Sequence, residues 1–299
     1  MHSPVGVRAA CIDIGSNTTR LLVADYVDGA LVEVHQERVF TRIGNGLAAS
    51  GAIADEKIEE VVAVVRGQLA VARDSGAAEI RGVATAAIRT AANGALLVEA
   101  IAAGTGLAVE IVSGEDEARL AFRGAAAMLD SESLSGSDRL GVLDVGGGSC
   151  EVVVGTAPDR VEWWASVAIG SGSLTDHCLH NDPPTSAELD AGRREIAAAL
   201  AGLAPPCPGL AVAVGGSATS LGRVAGPVLN APALEHALAV LTGESAAAVA
   251  ERFLIDPQRA RLLPAGLLIL QGASRLLETT ITVGRGGIRE GVLLEALTT

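Results

Sequence analysis

Aromatic residues are scarce in this 299-residue chain, where Phe, Trp and Tyr make up only 2% of the sequence. Proteins that bind nucleic acid use basic surfaces for the phosphates and, for single strands, aromatic side chains on which bases stack. Here Asp and Glu outnumber Lys and Arg by 35 to 22, and the formal net charge is −13. The composition therefore argues against nucleic acid and against an anionic membrane as partners.

Cysteines and long apolar runs are also few. The four cysteines, Cys11, Cys150, Cys178 and Cys207, form no C-x-x-C pair and are too scattered for a disulfide framework. The start of the chain lacks the apolar core of a signal peptide, because an acid arrives at position 13. The most apolar late stretch, residues 262–277, is short and interrupted by Pro and Gly. We therefore expect reduced thiols and a cytoplasmic location.

The chain does contain two similar glycine turns, each preceded by an aspartate. They lie in "CIDIGSNTTRLLVAD", which begins at Cys11, and in "GVLDVGGGSCEVVVG", which begins at Gly141. An offset of 131 residues superposes them and pairs Asp13 with Asp144, Gly15 with Gly146, and Thr18 with Ser149. Because this offset is close to half the chain length, it predicts two related domains that face each other.

The local pattern predicts a β-β-β start, with a hairpin turn at Asp28–Gly29, before the first helix. A dinucleotide-binding fold would need a helix directly after the first glycine turn, and none is predicted there. Strands and helices then alternate up to a polar stretch, "SESLSGSD", which we interpret as a linker. An α/β fold with two domains is expected.

The glycine turns suggest binding of phosphate. Consecutive glycines allow backbone N–H groups to approach an anion, and the flanking Ser and Thr hydroxyls add donors. An Asp that enters such a turn can bind Mg²⁺, directly or through water, and the ion can bridge to phosphate oxygens. A third glycine turn, "VGGSATS" from Val214, precedes a predicted helix whose N-terminus could bind another phosphate. A single turn of this kind would more often be a simple connection, but three favour a phosphate site.

The motifs, taken in order, resemble those of the exopolyphosphatase / guanosine pentaphosphate phosphohydrolase (Ppx/GppA) family. The resemblance lies in "DIGSNTTRLLV", "ATAAIRTAAN", "SGEDEARLAFRG", "LDVGGGSCEVVVG", "VAVGGSATSLG" and "GGIREGVLLEAL", and it extends from about Cys11 to Leu297. It implies two actin-like, sugar-kinase-like (ribonuclease H-like) domains across a cleft. We place them at residues 1–125 and 126–299, with the last helix able to pack back on the first domain. Longer relatives carry a C-terminal HD-type region, so we expect the short, two-domain form.

The resemblance also assigns residues. Glu117, the acid directly before "AR", corresponds to the family's general base, and a carboxylate at a helix start can activate water for in-line attack. The resemblance makes Arg89 a phosphate-binding residue. The expected phosphate-binding set is Gly15, Ser16, Asn17, Thr18, Arg89, Gly146, Gly147, Gly148, Ser149, Gly215, Gly216 and Ser217. The expected metal ligands are Asp144, Asp13 and Glu117, for Mg²⁺ or alternatively Mn²⁺.

Other polar residues receive a different interpretation. Arg20 could point into the cleft or into solvent. Arg289 and Glu290, in the closing helix, are expected to be structural. Cys150 is expected to be a packed thiol rather than a nucleophile, since no base lies near it in sequence. "GRGG" from Gly284 is expected to be a turn, and "IGSGSLTD" from Ile169 resembles a further anion loop.

The resemblance implies a Mg²⁺-dependent exopolyphosphatase that releases terminal orthophosphate from inorganic polyphosphate and forms a homodimer. Hydrolysis of guanosine pentaphosphate is the nearest alternative, and a non-catalytic sensor of polyphosphate or an alarmone is a third. A kinase would need an adenosine pocket that we cannot identify. The net charge of −13 opposes the approach of a polyanion unless the cleft gathers the few arginines. We therefore expect short polyphosphate chains as substrates.

Overall fold

A computed structural model describes residues 7–130 and 139–298 of the chain. In this part of the protein, the strands form two mixed sheets, one of five strands and one of six. The linker that we predict at residues 131–138 lies outside the described residues. Within the described ranges, none of the helices combines the length and the apolar character needed to cross a membrane.

The first sheet begins with the predicted run of three antiparallel strands. It contains β1 (Val7–Ile14), β2 (Thr19–Val27), β3 (Ala30–Val39), β4 (Glu79–Ala84) and β5 (Val109–Ile111), in the order β3-β2-β1-β4-β5. Strands β4 and β5 run parallel to β1. At the predicted turn between β2 and β3, Asp28 and Gly29 have φ angles of 52° and 85°. Two successive positive φ angles are typical of the tight turn that joins twisted antiparallel strands.

The second sheet repeats this arrangement. It contains β6 (Leu140–Val145), β7 (Cys150–Thr156), β8 (Arg160–Val167), β9 (Leu210–Val214), β10 (Val228–Leu229) and β11 (Ile281–Val283), in the order β10-β11-β9-β6-β7-β8. The run β8-β7-β6-β9 thus matches β3-β2-β1-β4. The register also repeats, because Asp13 is opposite Arg20 in the first sheet and Asp144 is opposite Glu151 in the second. The duplicated actin-like fold expected from the sequence is confirmed.

Helices cover both sheets. They are α1 (Leu47–Ser50), α2 (Asp55–Asp74), α3 (Ala86–Thr90), α4 (Gly94–Thr105), α5 (Gly114–Ala126), α6 (Ser171–Cys178), α7 (Ser186–Leu200), α8 (Gly215–Ala225), α9 (Ala231–Gly243), α10 (Ala246–Phe253), α11 (Pro257–Ala260), α12 (Leu263–Leu277) and α13 (Ile288–Thr298). Helices α2 and α4 form one apolar core with the first sheet. Helices α6 to α10 and α12 form a larger core with the second sheet. Both cores consist almost entirely of Ala, Val, Leu and Ile, in keeping with the 2% of aromatic residues in the sequence.

The remaining faces of the two sheets are covered by helices from the opposite half of the chain. Helix α5 packs its Phe122 side against the second sheet, whereas α13 packs Ile288, Val292 and Leu293 against the first. The last helix thus packs back on the first sheet. The boundary that we predict after residue 125 stays a prediction, and the packing associates α5 with the second sheet. The two exchanged helices also contact each other, so they join the halves below the cleft.

Candidate active site

A cavity of about 910 Å³ lies between the two sheets, and its lining includes both predicted hairpin turns. The β1–β2 turn closes with a hydrogen bond from the Gly15 N–H to the Thr18 carbonyl at 3.0 Å. The β6–β7 turn closes in the same way, from the Gly146 N–H to the Ser149 carbonyl, also at 3.0 Å. The offset of 131 residues that relates the two motifs in sequence therefore relates two turns of the same geometry.

The two hairpins touch each other, and this contact requires glycine. A Cβ atom on Gly147 would lie 2.6 Å from the Cβ of Asn17. A Cβ atom on Gly148 would lie 2.5 Å from the Oγ of Ser16. Larger residues at either position would push the turns apart. The glycines therefore bring donors from both halves of the protein to one end of the cavity.

Neighbouring helices support the hairpins. In the "IGSGSLTD" segment, the N–H groups of Ser171 and Gly172 donate to the carbonyls of Gly146 and Gly147, both at 2.9 Å. These amides hold the second hairpin and are thus already used, which differs from the anion loop that the sequence suggests. In the first hairpin, the Ser16 hydroxyl accepts a hydrogen bond from the Ala87 N–H at 3.1 Å.

The two turn aspartates face the same cavity from opposite sheets. Burial raises the pKa of Asp13 to about 6, although Arg20 and Arg289 oppose the shift. Burial also raises the pKa of Asp144, against the effect of Arg20. Oδ1 of Asp13 is buried and has no hydrogen-bond partner among the described residues. A buried carboxylate oxygen without a donor fits a site that a cation completes.

Glu117 lies in the first turn of α5, where the helix N-terminus favours negative charge. Ser113, the residue directly before the helix, caps it by accepting a hydrogen bond from the Asp116 N–H at 3.1 Å. Arg89 donates to Oε2 of Glu117 at 2.8 Å and to the carbonyl of Val112 at 2.9 Å. Burial raises the pKa of Glu117 to about 7, although the Arg89 hydrogen bond opposes the shift. The pKa of Glu117 is thus close to the value that suits a general base at neutral pH.

Two of the predicted phosphate-binding residues do not line the cavity. Arg89 lies against Glu117 and Val112 and is not among the described residues that line the cavity. Ser217 is fully buried in the first turn of α8, and a Cβ atom on Gly266 would lie 3.1 Å from its Cβ. Phosphate binding by Ser217 stays a prediction, and the structure places this residue beside α12 rather than on the cavity. The other members of the predicted phosphate set line the cavity.

Gly215 and Gly216 line the cavity for different reasons. Gly215 has a φ of 82°, which favours glycine, and a Cβ atom there would lie 2.6 Å from Oδ1 of Asp144. A Cβ atom on Gly216 would lie 2.6 Å from Nη2 of Arg259. The third glycine turn therefore leaves room for one carboxylate and one guanidinium.

Glu151 is a cavity residue that the sequence analysis missed. It is 1% exposed and accepts a hydrogen bond from the Ser166 hydroxyl at 2.9 Å. Burial, followed by repulsion from Glu117, raises its pKa well above the ordinary value. The sequence held a signal for it, since Glu151 interrupts an apolar strand and matches Arg20 at the offset of 131 residues.

Arginines from both halves also line the cavity, namely Arg20, Arg38, Arg223, Arg259, Arg285 and Arg289. Arg20, which could not be placed from the sequence, points into the cavity. Arg289 and Glu290 were expected to be structural. Arg289 does support β2, by donating to the carbonyl of Leu21 at 3.1 Å, but both side chains also line the cavity. The "GRGG" turn lines it too. These contacts come from segments distant in sequence, so local patterns could not reveal them.

Cys150 lies at the end of the second hairpin but is 1% exposed. Burial raises the pKa of its thiol well above the ordinary value. A protonated, buried thiol is a poor nucleophile, which agrees with the packed role expected from the sequence.

The residues that face the cavity fit the expected metal ion only in part. Across residues 7–130 and 139–298, no three His, Cys, Asp or Glu side chains are grouped so that they could hold a metal ion. Mg²⁺, however, is commonly bound by one or two carboxylates together with waters and substrate phosphates. Asp13 and Asp144 fit this arrangement, whereas Oε2 of the third expected ligand, Glu117, accepts from Arg89.

Comparison with known proteins agrees with this geometry. The Ppx/GppA phosphatase family matches residues 22–299. Exopolyphosphatase 2 of Mycobacterium tuberculosis is 31% identical over 317 aligned positions, which cover 96% of this chain and 98% of that protein. The chain belongs to the Ppx/GppA phosphatase family. Exopolyphosphatase 1 of Mycobacterium leprae is 29% identical, over 97% of this chain and 90% of that protein. As a Ppx/GppA member, the protein is a phosphoric anhydride hydrolase, as the resemblance implied.

Solved structures show the same architecture. The crystal structure of the Aquifex aeolicus Ppx/GppA member is 28% identical and covers 98% of each chain, with a TM-score of 0.80. An exopolyphosphatase structure from Cytophaga hutchinsonii has a TM-score of 0.85 over 97% of this chain and 98% of that chain, at 22% identity. At that identity the second likeness shows the fold alone. The Ppx/GppA fold is thus confirmed over nearly the whole chain.

Proposed function

We propose that this Ppx/GppA protein is an exopolyphosphatase that releases orthophosphate from the end of short inorganic polyphosphate chains. One observation carries the proposal. The buried carboxylate of Glu117 faces the same cavity as two matched glycine hairpins and several arginines. This combination provides a base for water, N–H donors for a terminal phosphoryl group and cations for the phosphates that follow.

The hairpins and the arginines would bind the substrate. Gly147 and Gly148 belong to one hairpin and Asn17, whose buried Nδ2 has no hydrogen-bond partner among the described residues, belongs to the other, so donors from the two halves would reach the same phosphoryl group. Arg20 and Arg259 would hold the phosphates further along the chain. Neither forms an ion pair with an acid among the described residues, and the Nε atom of each is buried without a hydrogen-bond partner. These free guanidiniums offset locally the repulsion that the net charge of −13 imposes on a polyanion.

Glu117 would activate the attacking water. Its Oε2 is held by Arg89, so the other oxygen can accept a proton from water. The water oxygen then forms a bond to the terminal phosphorus, and the bridging P–O bond breaks. Orthophosphate and a polyphosphate one unit shorter are the products. Arg89 acts here by orienting the base and by favouring its ionised form against burial.

Asp13 and Asp144 would hold Mg²⁺, with Mn²⁺ as an alternative ion. When bound, the ion would neutralise negative charge on the phosphoryl oxygens. The support for this assignment is the unpartnered oxygen of Asp13 and the position of Asp144 on the same cavity.

Polyphosphate is favoured over guanosine pentaphosphate by the composition of the cavity wall. None of the described residues that line the cavity is aromatic. A guanine base would therefore lack a stacking partner there.

The homodimer expected from the resemblance stays a prediction, and the four free thiols favour a cytoplasmic location.

The decisive experiment measures phosphate release from polyphosphates of several lengths, guanosine pentaphosphate and ATP, with Mg²⁺. We expect Glu117→Gln to lose turnover while its circular dichroism spectrum is unchanged. Glu115→Gln is the matched control, because Glu115 lies in the same helical turn but is exposed. Full turnover by Glu117→Gln would refute the assignment of the base. Preference for guanosine pentaphosphate would favour the alternative substrate, and binding of polyphosphate without hydrolysis would favour the sensor.

A further inference from the structure

Arg259 is a buried cation whose position depends on both halves of the protein. It lies in α11 and is 6% exposed, and it lines the cavity. Its guanidinium lies against the backbone of Gly216, where no side chain intervenes. The nearest acid in sequence, Asp256, accepts hydrogen bonds from the backbone N–H groups of Gln258 and Arg259 instead. Gly216 therefore leaves space for the guanidinium, but no described acid fixes it.

The ring of Phe40 supplies the missing contact. Phe40 directly follows β3, in the first half of the protein, whereas Arg259 belongs to the second half. Cζ of Arg259 lies 5.6 Å from the centroid of the Phe40 ring. Cζ of Arg38 lies 5.2 Å from the same centroid. Both distances are within the range of a cation–π interaction, so one ring attracts Arg38 from its own half and Arg259 from the other half.

The two guanidiniums have a third neighbour. Arg38 is opposite Arg20 in the β2–β3 register. Burial, followed by repulsion from Arg38 and Arg20, lowers the pKa of Arg259 to about 9. Like charges that face one another in this way are destabilising. The arrangement is therefore one that an anion would stabilise.

An aromatic ring and a carboxylate would fix a guanidinium with different consequences. A carboxylate would occupy the N–H donors and neutralise the charge, so a substrate phosphate would have to displace it. The face of an aromatic ring attracts the cation, but it does not accept hydrogen bonds from the N–H groups that lie in the plane of the guanidinium. The donors of Arg259 and Arg38 then stay available to phosphate oxygens. Phe40 thus provides orientation without competition.

We propose that Phe40 is a positioning residue that holds Arg259 and Arg38 ready to bind a phosphate of the substrate. Phe40 does not line the cavity itself, so it acts through the two arginines. The proposal rests on the function proposed above. It adds that substrate affinity depends on an aromatic ring at position 40 and that this ring serves binding rather than the chemical step.

The test compares Phe40→Leu, which removes the ring, with Phe40→Tyr, which keeps it. We expect Phe40→Leu to raise KM for polyphosphate by about three- to tenfold with kcat nearly unchanged, and Phe40→Tyr to resemble the parent protein. Phe253→Leu is the matched control, because the Phe253 ring also contacts an arginine, at 5.0 Å from Cζ of Arg252, but lies outside the cavity lining. Thermal unfolding checks that each variant is folded. If Phe40→Leu does not fold, Phe40→Met replaces it in the comparison.

A double-mutant cycle identifies the route of the effect. If Phe40 acts partly through Arg259, Phe40→Leu should raise KM less in an Arg259→Met background than in the parent protein, because only the contact with Arg38 is then left to lose. Calorimetric binding of inorganic triphosphate to the Glu117→Gln protein gives a second readout without turnover. Unchanged KM and binding in Phe40→Leu, or fully additive effects with Arg259→Met, would overturn the positioning role while the proposed function stands. Absence of polyphosphate hydrolysis by the parent protein would instead overturn the proposed function.

Discussion

Replacing Arg89 by methionine would separate two roles for this side chain. The sequence resemblance makes Arg89 a phosphate ligand, whereas the structure places its Nη1 atom 2.8 Å from Oε2 of Glu117. The two side chains are 26% and 10% exposed, so water screens the pair only weakly. If Arg89 serves the base, its loss should change the ionisation of Glu117. If it serves the substrate, its loss should change affinity.

The magnitude follows from the hydrogen bond. A hydrogen bond to a charged group contributes about 1.5–3 kcal/mol, and a pKa unit corresponds to about 1.36 kcal/mol. The pKa of Glu117 is raised by burial to about 7, and Arg89 opposes that shift. Without the guanidinium, we expect this pKa to rise by a further one to two units, roughly. Because the base must be ionised and about half of it is ionised at pH 7 in the parent, turnover at pH 7 should fall by about five- to fiftyfold and recover at higher pH.

The assay is the pH dependence of kcat and KM for phosphate release, measured between about pH 6 and pH 9.5. In Arg89→Met the rising limb should move to higher pH while KM stays within about threefold of the parent value. Arg119→Met is the control, since Arg119 lies in the same helix as Glu117 but forms an ion pair with Glu295. A large rise in KM with an unmoved limb would refute this reasoning and restore the phosphate-binding role.

Two further predictions concern Gly216 and Glu188. Gly216→Ala should raise KM more than it lowers kcat, because the new Cβ would lie 2.6 Å from Nη2 of Arg259; steady-state kinetics would check this, and an unchanged KM would contradict it. Backbone hydrogen bonds, first from Thr185, lower the pKa of Glu188 to about 2. The stability from this depressed pKa is complete above the unfolded value of about 4.3 and is lost as the pH falls toward about 2. Urea unfolding should therefore show Glu188→Gln less stable than the parent at pH 7, with a smaller difference at about pH 3, and an equal difference at both would contradict it.

The sequence predicted the elements whose determinants are local. The hairpin turns and the preceding aspartates were found because turn chemistry is written in adjacent residues and because the motif occurs twice. Both Asp13 and Asp144 face the cavity for the same reason, since equivalent strands present equivalent positions. Ser217 lies away from the cavity lining because α8 begins directly at Gly215, so the residue two positions later is turned toward the core.

The cationic part of the site could not be predicted, because it depends on contacts between segments far apart in the chain. Arg259 reaches the cavity from a short helix that has no recognisable motif. Arg289 reaches it because the last helix returns to the first sheet. The pairing of Arg89 with Glu117 joins residues 28 positions apart and requires the fold to be known. Local patterns identify the glycine turns whose backbone N–H groups can act as donors, but only the tertiary structure identifies which arginines lack an acidic partner.

The exchange of α5 and α13 between the two halves predicts that the halves unfold cooperatively. Their crossing is close, because a Cβ atom on Gly291 would lie 2.1 Å from the backbone carbonyl oxygen of Leu120. Backbone cannot move aside as a flexible side chain does, so Gly291→Ala should destabilise the protein by about 3 kcal/mol, the upper end for overpacking. Gly67→Ala is the control, since Gly67 is exposed in α2 and a Cβ atom there would meet open space, and it should be neutral or stabilising by up to about 1 kcal/mol. Since each exchanged helix covers the sheet of the other half, calorimetry should show both halves losing stability together in Gly291→Ala. A transition in which only one half is destabilised would show that the crossing does not couple them.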